Sequence, residues 1–254
     1  MRLLKAASLP LLLIGLFMLF PPGADAMVSS IHKKSGGKSA FVGGGFSMGL
    51  GIAQSNADQS GLNEMIHDAK ANSSATTSDF GTGLEYMAHF TFRFSNNFVA
   101  IQLRPTYFTQ STDGSGSGGN YDYKLTGYTV FPLVRLIPLS NDIIDFYLQA
   151  GLGYGKLDGS ITNGTRTASF SGSSFGSQVG VGADFCLFSD NCFGVEGNYR
   201  YLPISRNIVS SSSGGLINGA SQSQTDRELE NLNGSDVATS LTGISIALTY
   251  TFIF

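Results

Sequence analysis

Hydrophobic residues recur at every second position through most of the chain, which is the period of a β-strand and not of a helix. The clearest case is 241–254, where Ile244, Ile246, Leu248, Tyr250, Phe252 and Phe254 alternate with Gly243, Ser245, Ala247, Thr249 and Thr251. One face is apolar along its whole length and the other is small and polar. Comparable alternation marks eight segments, at 40–54, 81–94, 98–112, 121–139, 145–157, 169–188, 193–207 and 238–254. Three of the intervals between them are tight polar turns, Ser95-Asn96-Asn97, Ser140-Asn141-Asp142 and Ser189-Asp190-Asn191. The other four, 55–80, 113–120, 158–168 and 208–237, are longer. Short and long in alternation is the order expected of an eight-stranded antiparallel up-and-down transmembrane β-barrel, an all-β fold with short turns toward the periplasm and long loops outside. A soluble eight-stranded barrel is the competing architecture. It would need charged outer faces, and charged residues make up only 13% of this chain, about half the usual share of about 25%.

Placing each apolar face toward lipid gives a consistent assignment. Val42, Phe46, Met48, Leu50 and Ile52 face out from the first segment, Leu84, Tyr86, Phe90, Phe92 and Phe94 from the second, and Val99, Ile101, Leu103 and Tyr107 from the third. The opposite parity collects small residues such as Gly49 and Gly51 together with nearly every charge that falls within a strand. The expected lumen network is Glu85, His89, Arg93, Gln102, Arg104, Arg135, Asp184, Glu196 and Arg200, with Tyr147, Gln149, Gln178 and Asn198 beside it. Aromatics gather at segment ends, as interfacial girdles do. Phe92, Phe94, Phe98, Phe146, Phe185, Phe193 and Phe252 lie at the turn side, and Tyr107, Tyr123, Tyr154 and Tyr201 toward the loops. Pro132 falls mid-strand and is expected to mark a bulge or a bend near the periplasmic rim, because it has no backbone donor.

The N-terminus indicates the compartment. Arg2 and Lys5 precede an apolar stretch at 9–20, and Ala24-Asp25-Ala26 offers a small-residue cleavage site, so 1–26 is expected to be a cleaved secretory signal. About 12 apolar residues fall short of the roughly 20 needed for a membrane helix. Residues 27–39 are expected to form a flexible lead-in. Their Gly36-Gly37-Lys38-Ser39 resembles the end of a phosphate-binding loop, but His32 stands where that motif needs its first glycine. Removing Arg2, Lys5 and Asp25 with the signal takes the formal charge from −3 to −4, which excludes the basic surface of a nucleic-acid binder.

Phe131-Pro132-Leu133-Val134-Arg135, followed by Phe146-Tyr147-Leu148-Gln149-Ala150-Gly151-Leu152-Gly153-Tyr154, resembles the Pro-Leu-Leu strand and the Tyr-x-x-x-Gly-x-Gly strand of the OmpA-like small outer-membrane barrels. The likeness extends by layout over all eight segments. The aromatic strand ending at Phe254 is also similar to the assembly signal of that class. The resemblance implies an outer-membrane location in a Gram-negative-type bacterium, contact with outer-membrane lipid and lipopolysaccharide, and recognition of the strand ending at Phe254 by the barrel-assembly machinery. Members include structural anchors, adhesins and defence proteins. The peptidoglycan-binding domain that some members carry does not follow Phe254, so a cell-wall tether is not expected.

An eight-stranded barrel has an interior just wide enough for side chains to fill, so the lumen charges are expected to pair with one another, with a narrow conduit as the alternative. Some small outer-membrane barrels modify lipid with a His, a Ser and a carboxylate at the outer rim, and the candidates here are His32, His67 and His89. His67 lies beside Glu64 and Asp68, which would share a face if 62–71 were helical and could hold a metal weakly. Polar residues on a solvated helix are the simpler account, and no catalytic, cofactor or metal site is expected. The long polar loops 55–80 and 208–237, with a short exposed helix expected at 224–231, are the places for an external ligand. Cys186 and Cys192, the two cysteines of the chain, flank the tight turn at 189–191 and share the lumen parity. Directly paired hairpin positions bring Cβ atoms to about 4.5–5.5 Å, close to the roughly 3.8 Å of a disulfide. A Cys186–Cys192 disulfide is therefore expected, with two reduced, buried thiols as the alternative.

Overall fold

The computed structural model describes residues 44–141, 143–188, 190–215 and 224–254. The expected signal, the lead-in and Val42 lie outside the described residues. The elements are β1 (Gly45–Ala57), α1 (Ser60–Ser73), β2 (Gly83–Arg93), β3 (Val99–Gly116), β4 (Gly119–Ser140), β5 (Ile144–Asn163), β6 (Arg166–Phe188), β7 (Asn191–Tyr201), β8 (Pro203–Ile204), β9 (Ile208–Ser213), β10 (Thr239–Ser240) and β11 (Gly243–Ile253). Each of β1 to β7 pairs antiparallel with the next, and β11 pairs with both β7 and β1, so eight strands close into a ring. Gly45 opposes Arg93 and Ser47 opposes Ile253, so the start of β1 and the end of β11 sit together at the short-turn end.

The strands are of two lengths. β1, β2, β7 and β11 run 11–13 residues, close to the roughly 9–11 that cross a bilayer. β3 to β6 run 18–23 and continue well past it. The intervals at 113–120 and 158–168 are therefore not loops, as expected, but the upper ends of two hairpins joined near Gly116–Gly119 and Asn163–Arg166.

Polarity inverts along these long strands. Toward the turns, the outer face of β4 carries exposed Tyr128, Val130 and Val134, and its inner face carries buried Arg135. Beyond Tyr128 the outer face carries Lys124 and Asp122, whereas Leu125, Tyr123 and Tyr121 are buried inside. β5 does the same, with exposed Leu148, Leu152 and Tyr154 below and buried Leu157 and Ile161 above. The lower half is built for lipid outside and a polar interior. The upper half is built like a water-soluble protein. The change falls at a row of aromatics, in which Tyr107 lies 6.5 Å from Tyr86 and 5.0 Å from Tyr128, and Tyr154 lies 5.3 Å from Phe175. Tyr123 was expected in this girdle and is instead fully buried, its hydroxyl 2.9 Å from Asn163 Oδ1. It shares the parity of Arg135, so in the lengthened strand it points inward.

The upper interior is filled by a folded cap. α1 presents Leu62, Met65, Ile66 and Ala69 at the i, i+3, i+4, i+7 spacing of one helical face, and all four are buried in a cluster with Phe108, Leu157, Phe170, Leu202, Leu229 and Leu241. The start of α1 is tied down by Gln59 Nε2, which donates to the Ser240 carbonyl at 2.7 Å. The segment after α1 follows the free edge of β3, with Thr76 N donating to Ser115 O at 2.8 Å and Thr112 Oγ1 to Ser78 O at 2.7 Å. On the other side β9 pairs with β6 above the point where β7 ends. No helix forms at 224–231: Leu229 N donates to Asn207 O and Val237 N to Leu229 O, which ties this stretch by isolated bridges into the core. Loop 208–237, expected to be polar and exposed, thus anchors fully buried Val209, Leu229 and Val237.

Pro132 makes no bulge. It opposes Leu103, and β4 keeps one register with β5 on either side, from Val130↔Tyr154 to Leu133↔Gly151, with those two rungs as the flanks of a single gap. The register shift in this hairpin falls between Leu136 and Leu139, around Pro138, and a second lies between Phe185 and Phe188. Next to that second shift Cys186 and Cys192 form a disulfide. Unreduced protein denatured with an alkylating agent should take up no label and should take up two after reduction; two labels without reductant would contradict the bridge. The loop it closes is short, so its contribution is expected below the roughly 3 kcal/mol of a 15-residue loop.

Candidate functional site

The lower lumen is the most elaborate polar assembly among the described residues, and its composition follows from the two-residue strand period. Inner positions of β2 to β7 meet across the barrel, so side chains distant in sequence pair at close range. At the turn end, Arg93 Nη1 lies 2.6 Å from Asp145 Oδ2, and Arg93 Nη2 donates to Ser140 Oγ and to the Asn97 carbonyl. At the centre, Glu196 accepts from Arg104 at 2.7 Å, from Arg135 at 2.6 Å and from the Tyr147 hydroxyl at 2.7 Å. Arg135 also reaches Asp184 at 3.6 Å and lies 4.0 Å from the centre of the Tyr147 ring. Gln102, Gln149 and Asn198 fill the gaps, with Arg104 donating to Gln102 Oε1 at 2.8 Å and Gln149 to Asn198 Oδ1 at 2.7 Å. Nearest the cap, Arg200 Nη2 pairs with Glu85 at 2.7 Å while its Nε donates to the Leu241 carbonyl at 2.6 Å.

Four arginines, Arg93, Arg104, Arg135 and Arg200, thus face four carboxylates, Glu85, Asp145, Asp184 and Glu196, and the interior is balanced in formal charge. Buried charges are tolerable only when paired and hydrogen-bonded in this way. The tightness is visible at Gly49, where any Cβ would fall on the His89 imidazole, and at Gly194, where it would meet Thr249 and Asp184. His89 stands apart from the central cluster, its Nε2 3.0 Å from Thr251 Oγ1. A cavity of about 30 Å³ at the turn end, lined by Arg93, Arg135, Asp145, Tyr147 and Asp184 among others, has room for a water molecule.

The nine residues expected in the network all lie on the inner side, but they form three groups plus His89 and not one continuous chain. Asp145 and Thr251 were missed. Asp145 shares the parity of Tyr147 and Gln149, which was the available signal, but it lies at the segment boundary beside a turn. The buried stripe of α1 was also missed; its helical spacing is present in the sequence and was hidden by the surrounding Ser, Asn and Asp.

The residues weighed as a metal or acid–base site do not converge. His67 Nε2 lies 3.0 Å from Asp79, which also accepts from Lys70 at 3.1 Å. Glu64 instead accepts from Asn231 and Asn233, both at 3.1 Å. The hydrogen bond from Lys70, and next that from His67, hold the Asp79 carboxyl below its ordinary range. This triad tethers α1 to the segment that follows it. His32 lies outside the described residues.

Residues 26–252 match the outer membrane protein beta-barrel domain. None of the curated proteins compared with the chain matches it. Among solved structures, the chain is similar to the outer membrane protein OprG from Pseudomonas aeruginosa, at 12% identity over 85% of this chain and 99% of that one, with a TM-score of 0.53. It is also similar to Neisserial surface protein A, at 14% identity over 84% and 99% with a TM-score of 0.46. A third is Ail of Yersinia pestis, crystallised with the heparin analogue sucrose octasulfate, at 16% identity over 83% and 99% with a TM-score of 0.43. With eight strands closed into a ring, an apolar wall below a tyrosine girdle and a domain match over nearly its whole length, the chain belongs to the outer membrane protein beta-barrel family and resides in the outer membrane.

Proposed function

We propose that this protein is a non-conducting, non-enzymatic barrel whose role is to hold a folded cap at the cell surface, where the elements within 55–80 and 208–237 contact an external ligand. The observation that carries this reading is the double closure of the lumen. A charge-balanced network fills the lower half, and the apolar cluster of α1, β3 to β6 and the 229–241 stretch fills the upper half. An ion crossing it would have to break buried pairs and then pass hydrocarbon. Against enzymatic chemistry stands the dispersal of the histidines: His89 is sealed in the wall, and His67 is paired with Asp79 on the cap exterior. Recognition by the assembly machinery would use β11, whose last residue continues the ladder through Phe254 N donating to Phe46 O at 3.0 Å.

Purified protein in planar bilayers is expected to give no single-channel steps. Reproducible steps whose size changes on substitution at Gly49 or Ser245 would overturn the reading. Whole cells lacking the protein are then expected to lose adhesion or envelope resistance, and a version with α1 polar-face substitutions at Glu64 and His67 should reproduce that loss while still inserting.

A further inference from the structure

The outer face of β3 to β6 continues above the tyrosine girdle in the same surface as the lipid-facing wall, and its composition there is unusual. Register lines up three rows across the strands: Thr109, Thr126, Asp158 and Ser171; then Ser111, Lys124, Ser160 and Ser169; then Asp113, Asp122, Thr162 and Thr167. β9 extends the second and third rows with Ser211 and Ser213. Hydroxyls dominate this grid, large apolar side chains are absent from it, and the aromatic rims of Tyr107, Tyr128 and Tyr154 border its base. Lys124 is exposed, and Lys156, at the girdle row, pairs with Asp158 at 2.8 Å.

We propose that this face is a docking surface for the phosphosugar headgroups of the glycolipid in the surrounding outer leaflet, an inference that rests on the membrane placement of the barrel and names a partner for its side wall. Direction is the first reason. The face points sideways, continuous with the lipid contact, so its nearest neighbour is whatever stands on the adjoining lipid. Height is the second. Three rows of two residues each, at roughly 3.3 Å per residue, climb about 20 Å along the strands, or about 15 Å after the usual barrel tilt. A phospholipid headgroup layer is only about 5–8 Å thick, so most of the face would stand clear of it; a headgroup of several sugars would cover it. Chemistry is the third. Ser and Thr hydroxyls donate to and accept from sugar hydroxyls, tyrosine rims offer apolar faces to pyranose rings, and Lys124 offers a cation to phosphate.

The test uses the full-length protein with Ser160→Cys carrying a polarity-sensitive fluorophore, its native cysteines being bonded to each other. It is placed in vesicles of phosphatidylethanolamine and phosphatidylglycerol, alone, with lipid A, or with lipopolysaccharide bearing its core sugars. Quenching by neutral acrylamide is expected to fall several-fold with core-bearing lipopolysaccharide relative to phospholipid alone, with little change for the same label at Asn233 on the cap. Lys124→Glu should reverse part of that protection while leaving the heat-modifiable gel shift of the folded barrel intact. Equal quenching in all three vesicles would overturn the proposal, as would equal protection at Asn233. Protection by free core oligosaccharide in phospholipid vesicles would assign the face to a soluble glycan instead. Protection already present in phospholipid alone would mean that Ser160 lies in the bilayer, which would sink the membrane placement itself.

Discussion

Replacing Glu196 by alanine is expected to cost roughly 3–5 kcal/mol of stability, the range for removing one partner from a buried ion pair. Glu196 is 1% exposed and is the shared acceptor for Arg104, Arg135 and Tyr147. Without it two guanidiniums stay buried with Asp184 as the nearest remaining carboxylate, 3.6 Å from Arg135. The loss comes from orphaned charge and not from the pairs being intrinsically strong. Replacing Arg104, Arg135 and Glu196 together by apolar residues of similar size should therefore cost much less than Glu196→Ala alone. Urea unfolding in lipid vesicles, followed by the gel shift of folded against unfolded protein, measures both. A triple variant less stable than the single one would contradict this account of the lumen.

The second large effect is expected on the lipid side. Leu248 is 60% exposed on β11, opposite Ile52 of β1 and Val195 of β7, in the middle of the apolar band. An arginine there should cost about 2–4 kcal/mol, whereas Ile244→Arg, beside Tyr199 near the outer interface, should cost about 0–1 kcal/mol. The adjacent Thr249 is a poor control for this comparison. It is 5% exposed and packs against Gly194, so an arginine at that position would be destabilising by overpacking whichever face meets lipid. Equal folding yields of Leu248→Arg and Ile244→Arg in vesicles would contradict the depth assigned to Leu248.

What the sequence conveyed well was parity. In a closed barrel a residue faces either lipid or lumen, and a slip of one position would move every charge of a strand into lipid; Glu85, Arg104, Arg135 and Glu196 could hardly be placed otherwise. What it hid was extent. On β4 the apolar positions are even at Tyr128, Val130 and Val134 but odd at Tyr121, Tyr123 and Leu125, because the solvent outside the strand changes from lipid to water at the girdle. Such a phase flip looks like the end of a strand. Leu157 and Ile161 on β5 were misjudged in the same way, and so the hairpins above the membrane were taken for loops. The cap was illegible for a related reason. Leu202, Ile204, Val209, Leu229, Val237 and Leu241 are isolated apolar residues in polar surroundings, and only the tertiary contact with α1 makes them a core. The helix expected at 224–231 lost to that contact: burying Leu229 and Val237 across a bridge outweighed local helical propensity.

The inversion of polarity at the tyrosine girdle is the claim on which the rest depends, and one strand can test it. In methyl-labelled protein in lipid nanodiscs, saturating the acyl-chain protons should transfer strongly to the methyls of Leu148 and Leu152, which are exposed on the outer wall, and weakly to those of Leu157 and Ile161, which are buried above the girdle. Strong transfer to Leu157 and Ile161, or none to Leu152, would contradict it.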